Sequence, residues 1–374
     1  MTQTPPSKLP ISTSGPQVAV PQILDISPYK PGTSKTTGNN STIKLSSNEN
    51  PFGCSAQTLE AMIGSVLSQH RYPDGGSSAL TSAIAARYNL DAQRIVCGAG
   101  SDELLALLCQ AYAGPGDEVL YTEHGFLMYP ISALRVGATP VKAPETNKSI
   151  DITKLLGAVT EKTKIVFIAN PNNPTGSYIP RKKLLQLRQN LPEHVLLVID
   201  AAYAEYVENS DYTAGADIVD GSNNTVMTRT FSKIHGLGGI RLGWAYCPPE
   251  IADILHRIRG PFNVASMAQA AGIAALQSTD FEEQSRQHNT IWLKKMAKGL
   301  KSLGLTVYPS VANFILVEFK SEHDANAAYS FLQEQGILVR AMQSYGLPSC
   351  LRITIGATEE NEAVLEALQH HLQN

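Results

Sequence analysis

One segment of the sequence combines a lysine, small hydroxyl side chains, glycines and an arginine at close spacing. It spans residues 230–244 and has the sequence TFSKIHGLGGIRLGW. Lys233 follows an apolar run typical of a buried strand, and partial desolvation there disfavours the ammonium form and makes the amine nucleophilic toward a carbonyl. Thr230, Ser232 and Arg241 are suited to hold a phosphate, because a guanidinium fork matches phosphate oxygens in pairs. The segment can form a reactive amine beside an anion site, although such a cluster alone more often indicates a surface lysine beside a glycine-rich turn.

A second motif, VIDAAY, places an acid at the end of an apolar run and a phenol three residues later. A fixed carboxylate can keep a pyridine nitrogen protonated, and that proton makes the ring an electron sink, so Asp200 fits this role. Tyr203 can hydrogen-bond an oxygen on the same ring. Taken alone, an aspartate at this place is more often a helix N-cap.

Two turns complete the set of candidate residues. The run NPNNPTG at residues 170–176 is rich in turn formers, and the Asn173 amide can donate to the same ring oxygen. The run GAGSDE at residues 98–103 precedes a helical pattern, so the backbone N–H groups of Gly100, Ser101 and Asp102 can receive a phosphate. No Gly-Lys-Ser/Thr follows, which excludes a Walker loop. In isolation each is a plain turn or helix start.

The elements around these motifs alternate between strand and helix patterns. Apolar runs at residues 118–121, 164–169, 195–200 and 225–230 predict buried strands, and residues 103–112 and 180–189 have helical patterns. This βαβ rhythm predicts an α/β fold with a mostly parallel sheet, in which ligands lie beyond the carboxyl ends of the strands. Residues 282–303 and 324–335, with strand-like runs at 314–319 and 351–356, predict a smaller α+β domain.

Length and composition restrict the function. A chain of 374 residues is longer than a single hydrophobic core usually supports, so two domains are expected. A net charge of -3 gives no broad electrostatic attraction to nucleic acid or anionic lipid. We therefore expect small-molecule partners, no nucleic acid and no membrane. The odd count of 5 cysteines, without CxxC spacing, favours reduced thiols in the cytoplasm, and no metal site is predicted. The Pro- and Ser-rich residues 1–22 are interpreted as a mobile lead-in without a signal peptide.

The succession of these motifs resembles fold type I of the pyridoxal-phosphate enzymes, in the class I and II aminotransferase branch. The resemblance implies pyridoxal 5'-phosphate carried by Lys233 as a Schiff base, with Asp200 at the ring nitrogen and Tyr203 and Asn173 at the ring oxygen. It further implies that Phe126, in the run EHGFLMY, stacks on the ring, although a core phenylalanine is as frequent. The implied phosphate ligands are Gly100, Ser101, Asp102, Thr230, Ser232 and Arg241.

Further segments are similar to the histidinol-phosphate aminotransferase family from about Ile23 onward. They are SPYKPG at 27–32, LSSNENPFG at 45–53, RYPD at 71–74 and GLPSCLRITIG at 346–356. The likeness implies that Tyr29, Asn48, Arg340 and Arg352 bind the substrate. It also implies a homodimer in which Tyr72 reaches the cofactor phosphate of the partner subunit. The alternative for Arg352 is a structural ion pair.

The sequence departs from the family pattern at two places. Lys30, Pro31 and Gly32 follow the Pro-Tyr pair where some members have an arginine, which leaves the second ligand of the substrate phosphate open. His235 stands where an aromatic side chain such as tyrosine is common, and we assign it a packing role without a part in catalysis.

The resemblance implies a large domain with a mostly parallel seven-stranded sheet between helices, over residues 50–275, and a small domain over 276–374. Residues 23–49 would join the small domain and the dimer contact. The implied reaction is ping-pong transamination between histidinol phosphate and 2-oxoglutarate in histidine biosynthesis. Rivals are an aromatic amino-acid aminotransferase and a phosphothreonine decarboxylase; a non-catalytic cofactor-binding regulator would need a basic DNA-binding segment, for which the amino terminus is too short.

Overall fold

A computed structural model describes residues 21–29 and 42–373 of the chain. Most of the lead-in predicted for residues 1–22, and the departure at Lys30, Pro31 and Gly32, lie outside the described residues. The strands are β1 Ile43–Lys44, β2 Ile95–Gly98, β3 Glu118–Thr122, β4 Thr139–Ala143, β5 Thr163–Ala169, β6 Leu196–Asp200, β7 Thr225–Thr230, β8 Gly243–Tyr246, β9 Thr306–Val307, β10 Phe314–Glu318, β11 Ile337–Leu338, β12 Arg340–Ala341 and β13 Cys350–Thr354.

The helices alternate with these strands along the first two thirds of the chain and dominate the last third. They are α1 Ala56–Ser65, α2 Ser78–Tyr88, α3 Ser101–Tyr112, α4 Met128–Arg135, α5 Ile152–Gly157, α6 Arg181–Asn190, α7 Ala216–Asp220, α8 Pro249–Ile258, α9 Ser266–Gln277, α10 Thr279–Ser302, α11 Glu322–Glu334 and α12 Thr358–Gln373. Short 3-10 helices lie at Pro21–Asp25, Val66–Ser68, Ala92–Arg94, Ala204–Tyr206, Gly238–Ile240 and Gln343–Tyr345.

The large sheet has seven strands in the order β2-β8-β7-β6-β5-β3-β4. All neighbouring pairs from β7 to β4 are parallel, and β8 runs antiparallel to both β2 and β7. The mostly parallel α/β sheet that the motifs implied is thus confirmed. Because the parallel strands end at one edge, the residues that follow β5, β6 and β7 meet there.

The central strands are apolar on both faces because helices cover both faces of the sheet. Along β5, Phe167 packs into a core with α3, whereas Val166 and Ile168 pack into a second core with α6 on the opposite face. This arrangement explains why these strands are continuous apolar runs rather than alternating ones. Each strand end is therefore held from two sides.

A second sheet, in the order β12-β13-β10-β9, is antiparallel and packs against α10, α11 and α12. The chain before the large sheet also reaches this region, because β1 pairs in parallel with β11. The α+β character expected for the carboxyl-terminal third is present. The exact division into domains at residues 49/50 and 275/276 stays a prediction.

Candidate active site

A cavity of about 240 Å³ lies at the carboxyl ends of β5, β6 and β7, beside the start of α3. Most of the side chains that the sequence singled out for a cofactor line it, although they come from distant parts of the chain. The lining residues are Ser47, Glu49, Ser101, Asp102, Phe126, Ala169, Pro171, Asn173, Asp200, Ala202, Tyr203, Thr230, Ser232, Lys233, Gly238 and Arg241.

Lys233 places its amine inside this cavity. Its Nζ donates to the Ser47 carbonyl oxygen at 3.3 Å and lies 5.6 Å from the centre of the Tyr203 ring. Burial, helped by the positive charge of Arg352, lowers the pKa of Lys233 from 10.5 to about 8. A lysine with this pKa is partly unprotonated at neutral pH, which is the form that attacks a carbonyl.

Asp200 ends β6 and is the buried anion of the cavity, with 5 % of its surface exposed. Its carboxylate accepts a hydrogen bond from the Tyr129 hydroxyl at 2.9 Å and a long one from Thr228 at 3.5 Å. Burial raises its pKa to about 6, against which the Tyr129 hydrogen bond acts. A cation placed opposite this carboxylate would remove much of the cost of burying its charge.

Aromatic side chains form the walls beside Asp200. Phe126 lines the cavity and meets Tyr129 edge to face, with ring centres 5.9 Å apart. Tyr129 in turn stacks on Phe167 at 4.7 Å. A flat aromatic ligand would find one face available at Phe126.

Tyr203 lies on the other side of the cavity, and its hydroxyl accepts a hydrogen bond from the Asn48 amide at 2.8 Å. Asn48 is itself held by Thr354 of β13, which accepts from its backbone N–H at 3.0 Å and donates to its Oδ1 at 3.1 Å. Burial raises the pKa of Tyr203 to about 12, so the phenol keeps its proton. These contacts connect the large sheet, the amino-terminal segment and the second sheet.

An anion-binding group lies at the end of the cavity next to α3. Arg241 donates to the Ser232 hydroxyl at 3.3 Å and to the Asp102 carboxylate at 3.3 Å, and Thr230 donates to Ser232 at 3.0 Å. The N-cap of α3 is Gly100, at φ +85°, and no side chain caps it, so the first amides of α3 are available to an anion.

Glycine is required at Gly100 for space as well as for its backbone angle. A Cβ added there would collide with the Arg241 guanidinium. Arg241 itself has a left-handed backbone at φ +58°, which is uncommon for a residue with a side chain. The backbone angles of Gly100 and Arg241 therefore allow the Arg241 guanidinium to lie against the start of α3.

Arg352 on β13 is buried at the boundary between the two sheets. Its Nη1 donates to the Asn173 side-chain oxygen at 2.6 Å and its Nη2 to the Ser46 carbonyl at 2.8 Å, while its Nε has no partner among the described residues. No carboxylate pairs with it in the described part of the chain. The structural ion pair considered for Arg352 is thus not formed there, and its charge is open to an anionic ligand.

The remaining predicted residues lie at the periphery. The Arg340 guanidinium lies 5.8 Å from the centre of the Tyr29 ring, and Tyr29 is 46 % exposed. Tyr72 is 82 % exposed, stacks on Phe262 at 4.6 Å and does not line the cavity of its own chain. A role for Tyr72 at a cavity therefore requires a second copy of the chain.

Sequence reasoning missed Tyr129 and Thr228, the two side chains that hold Asp200. Tyr129 stands three residues after Phe126 in the same run, so its position was noticed but its direction was not. Phe126 precedes α4 and Tyr129 lies in its first turn, where the Tyr129 N–H donates to the Phe126 carbonyl at 3.0 Å. No helix-face rule therefore relates the two side chains, and the contact of the Tyr129 hydroxyl with Asp200 is set by tertiary packing. His235 is buried against Phe231, with ring centres 5.1 Å apart, as suits a packing role.

A buried ion pair lies close to the site. Arg229 on β7 donates to Glu205 at 2.7 Å, and its guanidinium stands 4.4 Å from the centre of the Tyr88 ring. Glu205 does not line the cavity. Of the carboxylates that do, Glu49 pairs with Lys44 and Asp102 with Arg241, so Asp200 is the one without a cation within ion-pair distance among the described residues.

Comparison with known proteins gives consistent matches over nearly the whole chain. The family model "Aminotransferase class I and II" matches residues 40–369. A histidinol-phosphate aminotransferase from Paramagnetospirillum magneticum is 55% identical over 351 residues, covering 93% of this chain and 97% of that protein. The corresponding enzyme from Rhodospirillum centenum is 54% identical over 356 residues, covering 95% and 98%.

Solved structures agree with these relatives. The histidinol-phosphate aminotransferase from Sinorhizobium meliloti, in complex with pyridoxal-5'-phosphate, has a TM-score of 0.87 and 26% identity, covering 97% of this chain and 99% of that one. An aspartate aminotransferase from Thermus thermophilus with maleate shares the fold, with a TM-score of 0.78 at 22% identity over 88% and 91%. Among the described helices none is long and apolar enough to cross a membrane.

Proposed function

The chain belongs to the class I and II aminotransferases, and from that membership we propose that it transfers an amino group between L-histidinol phosphate and 2-oxoglutarate. The products are 3-(imidazol-4-yl)-2-oxopropyl phosphate and L-glutamate, in histidine biosynthesis. The substrate class is supported by relatives that are 54% and 55% identical. The observation that carries the chemistry is one cavity lined by the Lys233 amine, the Asp200 carboxylate and the Arg241 guanidinium.

We propose pyridoxal 5'-phosphate as the cofactor, because the residues present fit each of its parts. When bound, it supplies an electron sink that stabilises negative charge at the substrate Cα. Lys233 would hold its aldehyde covalently, Asp200 would face the ring nitrogen, and Phe126 would cover the ring. Tyr203 and Asn173 would donate to the ring oxygen. The fit is supported by the buried Asp200 carboxylate, which has no cation within ion-pair distance in the described part of the chain, and by the start of α3, where no side chain caps the helix.

The cofactor phosphate would be held by Arg241, Thr230, Ser232 and the amides of the turn that ends at Asp102. Arg241 contributes two N–H groups on one side, and the start of α3 contributes backbone amides on the other. Asp102 lines this site too, and its pairing with Arg241 orients the guanidinium. These residues fix the ring relative to Lys233.

Lys233 has a second role once its amine is released during turnover. Its unprotonated amine would remove the proton from the substrate Cα, and its protonated form would deliver that proton to C4′, the carbon that was the aldehyde of the bound cofactor. The Lys233 amine contacts the Tyr203 ring and the Ser47 carbonyl, and these two contacts restrict its position. The low pKa of the amine suits a group that must both accept and donate a proton near neutral pH.

The pKa of Lys233 predicts how the cofactor-free protein takes up pyridoxal 5'-phosphate. Only the unprotonated amine attacks, so the capture rate is expected to rise with pH and to level off above about 8. A lysine at the ordinary pKa of 10.5 would give a rate that is still rising tenfold per pH unit at pH 9. Stopped-flow absorbance between pH 6.5 and 9.5 measures the profile, and a rise that continues past pH 9 contradicts the prediction.

Arg352 would bind the anionic end of both substrates, assisted by Arg340, Tyr29 and Asn48. One site must accept a phosphate monoester in one half-reaction and a carboxylate in the other, and a guanidinium serves both. The Nε without a partner and the absence of a paired carboxylate among the described residues support this role. Tyr203 and Asn173 connect Arg352 to the cofactor site.

Replacing Arg352 with Gln is expected to raise the KM for histidinol phosphate and for 2-oxoglutarate, each by roughly 10- to 100-fold, because a hydrogen-bonded charge is lost. Steady-state kinetics with each substrate varied in turn measures this. The matched control is Arg340→Gln, for which a smaller effect is expected because Arg340 lies at the periphery. Equal KM values for parent and Arg352→Gln would remove Arg352 from the substrate site.

A paired substrate assay tests the proposed reaction. Histidinol phosphate and phenylalanine are each offered with 2-oxoglutarate, and glutamate formation is followed. We expect kcat/KM to be higher for histidinol phosphate. A higher value for phenylalanine would identify an aromatic amino-acid aminotransferase, and carbon dioxide release from phosphothreonine without an amino acceptor would identify a decarboxylase.

The proposed enzyme is a homodimer in which Tyr72 of each subunit reaches the cofactor phosphate of the other. The exposed apolar residues of α1 and the turn after it recur at helical spacing on one face, which supports an interface there. They are Leu59, Ile63, Val66 and Leu67, with exposed fractions of 50%, 62%, 52% and 89%. Sizing of the intact protein tests the dimer. A cytoplasmic location stays a prediction from cysteine usage.

A further inference from the structure

The loop between α8 and α9 spans residues 259–265, and its first five residues contact two segments that the proposed function places at cofactor phosphates. On one side, Arg259 donates through Nη2 to the Gly75 carbonyl at 2.6 Å. The Phe262 ring stacks under Tyr72 with centres 4.6 Å apart and planes 19° apart. A Cβ added at Gly75 would lie only 2.7 Å from the Pro261 carbonyl oxygen, so the two segments are in close backbone contact.

On its other side the loop holds the glycine turn at the start of α3 through Asn263. The Asn263 amide nitrogen donates to the Cys97 carbonyl at 3.2 Å and to Glu103 Oε2 at 2.8 Å. Its oxygen accepts from Arg259 Nη1 at 3.0 Å. The same Glu103 oxygen accepts from the Ala99 backbone N–H at 2.6 Å. One asparagine thus connects the strand before the turn, the turn itself and Arg259.

We propose that Asn263 is a positioning residue for the cofactor-phosphate turn of its own subunit, and that Arg259 extends this hold to the segment that carries Tyr72. The inference rests on the proposed function for the identity of the anion. A single loop would then set the phosphate site of its own subunit and, across the dimer, that of the partner.

The physical reason lies in the charge of Glu103. This carboxylate belongs to the first turn of α3, the turn whose amides would receive the phosphate. A carboxylate left free to rotate there would compete for those amides and repel the incoming anion. The Asn263 amide and the Ala99 N–H together occupy one of its oxygens and fix its direction. The backbone amides of the turn therefore stay available to the phosphate, and the Glu103 carboxylate stays bound to Asn263 and Ala99.

The experiment compares the binding of pyridoxal 5'-phosphate and pyridoxal to cofactor-free protein, with Asn263→Asp against the parent. Aspartate has the size of asparagine but lacks the N–H donors, and it would set a second carboxylate against Glu103. We expect affinity for pyridoxal 5'-phosphate to fall roughly tenfold, the usual effect of losing a hydrogen bond to a charged group, with affinity for pyridoxal unchanged. The ratio of the two dissociation constants is the measured quantity, because a general structural defect would weaken both ligands.

A second pair of variants covers the case in which Asn263→Asp folds poorly and loses both ligands. Glu103→Ala removes the acceptor through which Asn263 holds the turn, and this loss is expected to lower the preference for pyridoxal 5'-phosphate even though a negative charge is also removed. Glu103→Gln keeps an acceptor oxygen without that charge and is expected to restore the preference to within about threefold. The matched control is Asn190→Asp, at an exposed residue of α6 whose amide donates to the Gln186 carbonyl at 2.8 Å. The inference is overturned if the ratio of the two dissociation constants is unchanged in Asn263→Asp that still binds pyridoxal, or if Glu103→Ala leaves the ratio at the parent value.

The link to Tyr72 is tested by combining variants. If Arg259 acts through Tyr72, Arg259→Gln weakens pyridoxal 5'-phosphate binding in the parent but adds nothing in a Tyr72→Phe background. Asn263→Asp is expected to keep its full effect in that background. Equal effects of Arg259→Gln in both backgrounds would overturn the link. A parent that binds no pyridoxal 5'-phosphate at all would contradict the proposed function itself, which is a different outcome.

Discussion

Replacing Lys233 with Ala is expected to lower turnover by more than about 10³-fold, since both covalent attachment and proton transfer are lost. No other amine side chain lines the cavity among the described residues, so none can substitute. The variant is also expected to lose the visible absorbance of the covalently held cofactor and to release the cofactor on dialysis. Absorbance spectra and the transamination assay measure both effects.

Two control variants separate chemistry from charge and from folding. Lys233→Arg keeps a positive charge in the cavity but has no amine that can hold an aldehyde, so it is expected to fail as Lys233→Ala does. Lys295→Ala removes an exposed lysine beside Trp292 on α10 and is expected to behave as the parent. Near-parental turnover and absorbance in Lys233→Ala would refute the assignment of the reactive amine.

Replacing Asp200 with Asn is expected to act in opposite directions on activity and on stability. Turnover should fall by at least about 10²-fold, because the anion that keeps the ring nitrogen protonated is removed. The cofactor-free protein should become more stable at pH 8, because ionised Asp200 is buried without a cation among the described residues. The charge of Asp200 is thus expected to lower the free energy of unfolding of the cofactor-free protein while it supports binding of the cofactor.

The pH dependence follows from the direction of the pKa shift. The pKa of Asp200 is raised from 3.8 to about 6 on folding. Below pH 3.8 the side chain is neutral in both the folded and the unfolded state, so it does not destabilise the fold. The loss of folding stability grows as pH rises from 3.8 through 6 and is constant above that. At pH 8 this corresponds to at most about 3 kcal/mol in the free energy of unfolding, and near pH 4 to less than about 1 kcal/mol. Urea unfolding of cofactor-free Asp200→Asn and parent at both values measures the difference. A stabilisation that is independent of pH would show that the charge of Asp200 is not its cause.

The parts of the fold that the sequence predicted are those with strong local patterns. The predicted runs for β3, β5, β6 and β7 match the observed strand ends to within one residue, because strands covered on both faces are uninterrupted apolar runs. By contrast β8, at Gly243–Tyr246, has four residues that directly follow a glycine-rich loop. Its pairing with β2 and β7 is a long-range contact that no local pattern indicates.

The site was predictable where a motif carries its own chemistry and unpredictable where contacts cross the molecule. Lys233, Asp200 and Arg241 were singled out because their residue types follow strand ends, where an α/β sheet binds ligands. The hydrogen bonds from Tyr129 to Asp200 and from Arg352 to Asn173 depend on how separate elements pack. Side-chain direction across such distances is set by tertiary packing, which periodicity does not contain.

The hydrogen bonds of Asn48 have a consequence for how the protein acquires its activity during synthesis. Asn48 bonds to Tyr203 and to Thr354, partners 155 and 306 residues away in the chain. Contacts over such separations form late, since the entropy of closing a long loop must be overcome first. A nascent chain that has not yet released its carboxyl-terminal strand therefore lacks the Thr354 contacts that hold Asn48 against Tyr203. Cofactor binding would then follow the packing of the carboxyl-terminal strand. Because the cofactor would bind the fully packed state, it would shift the folding equilibrium toward that state by mass action.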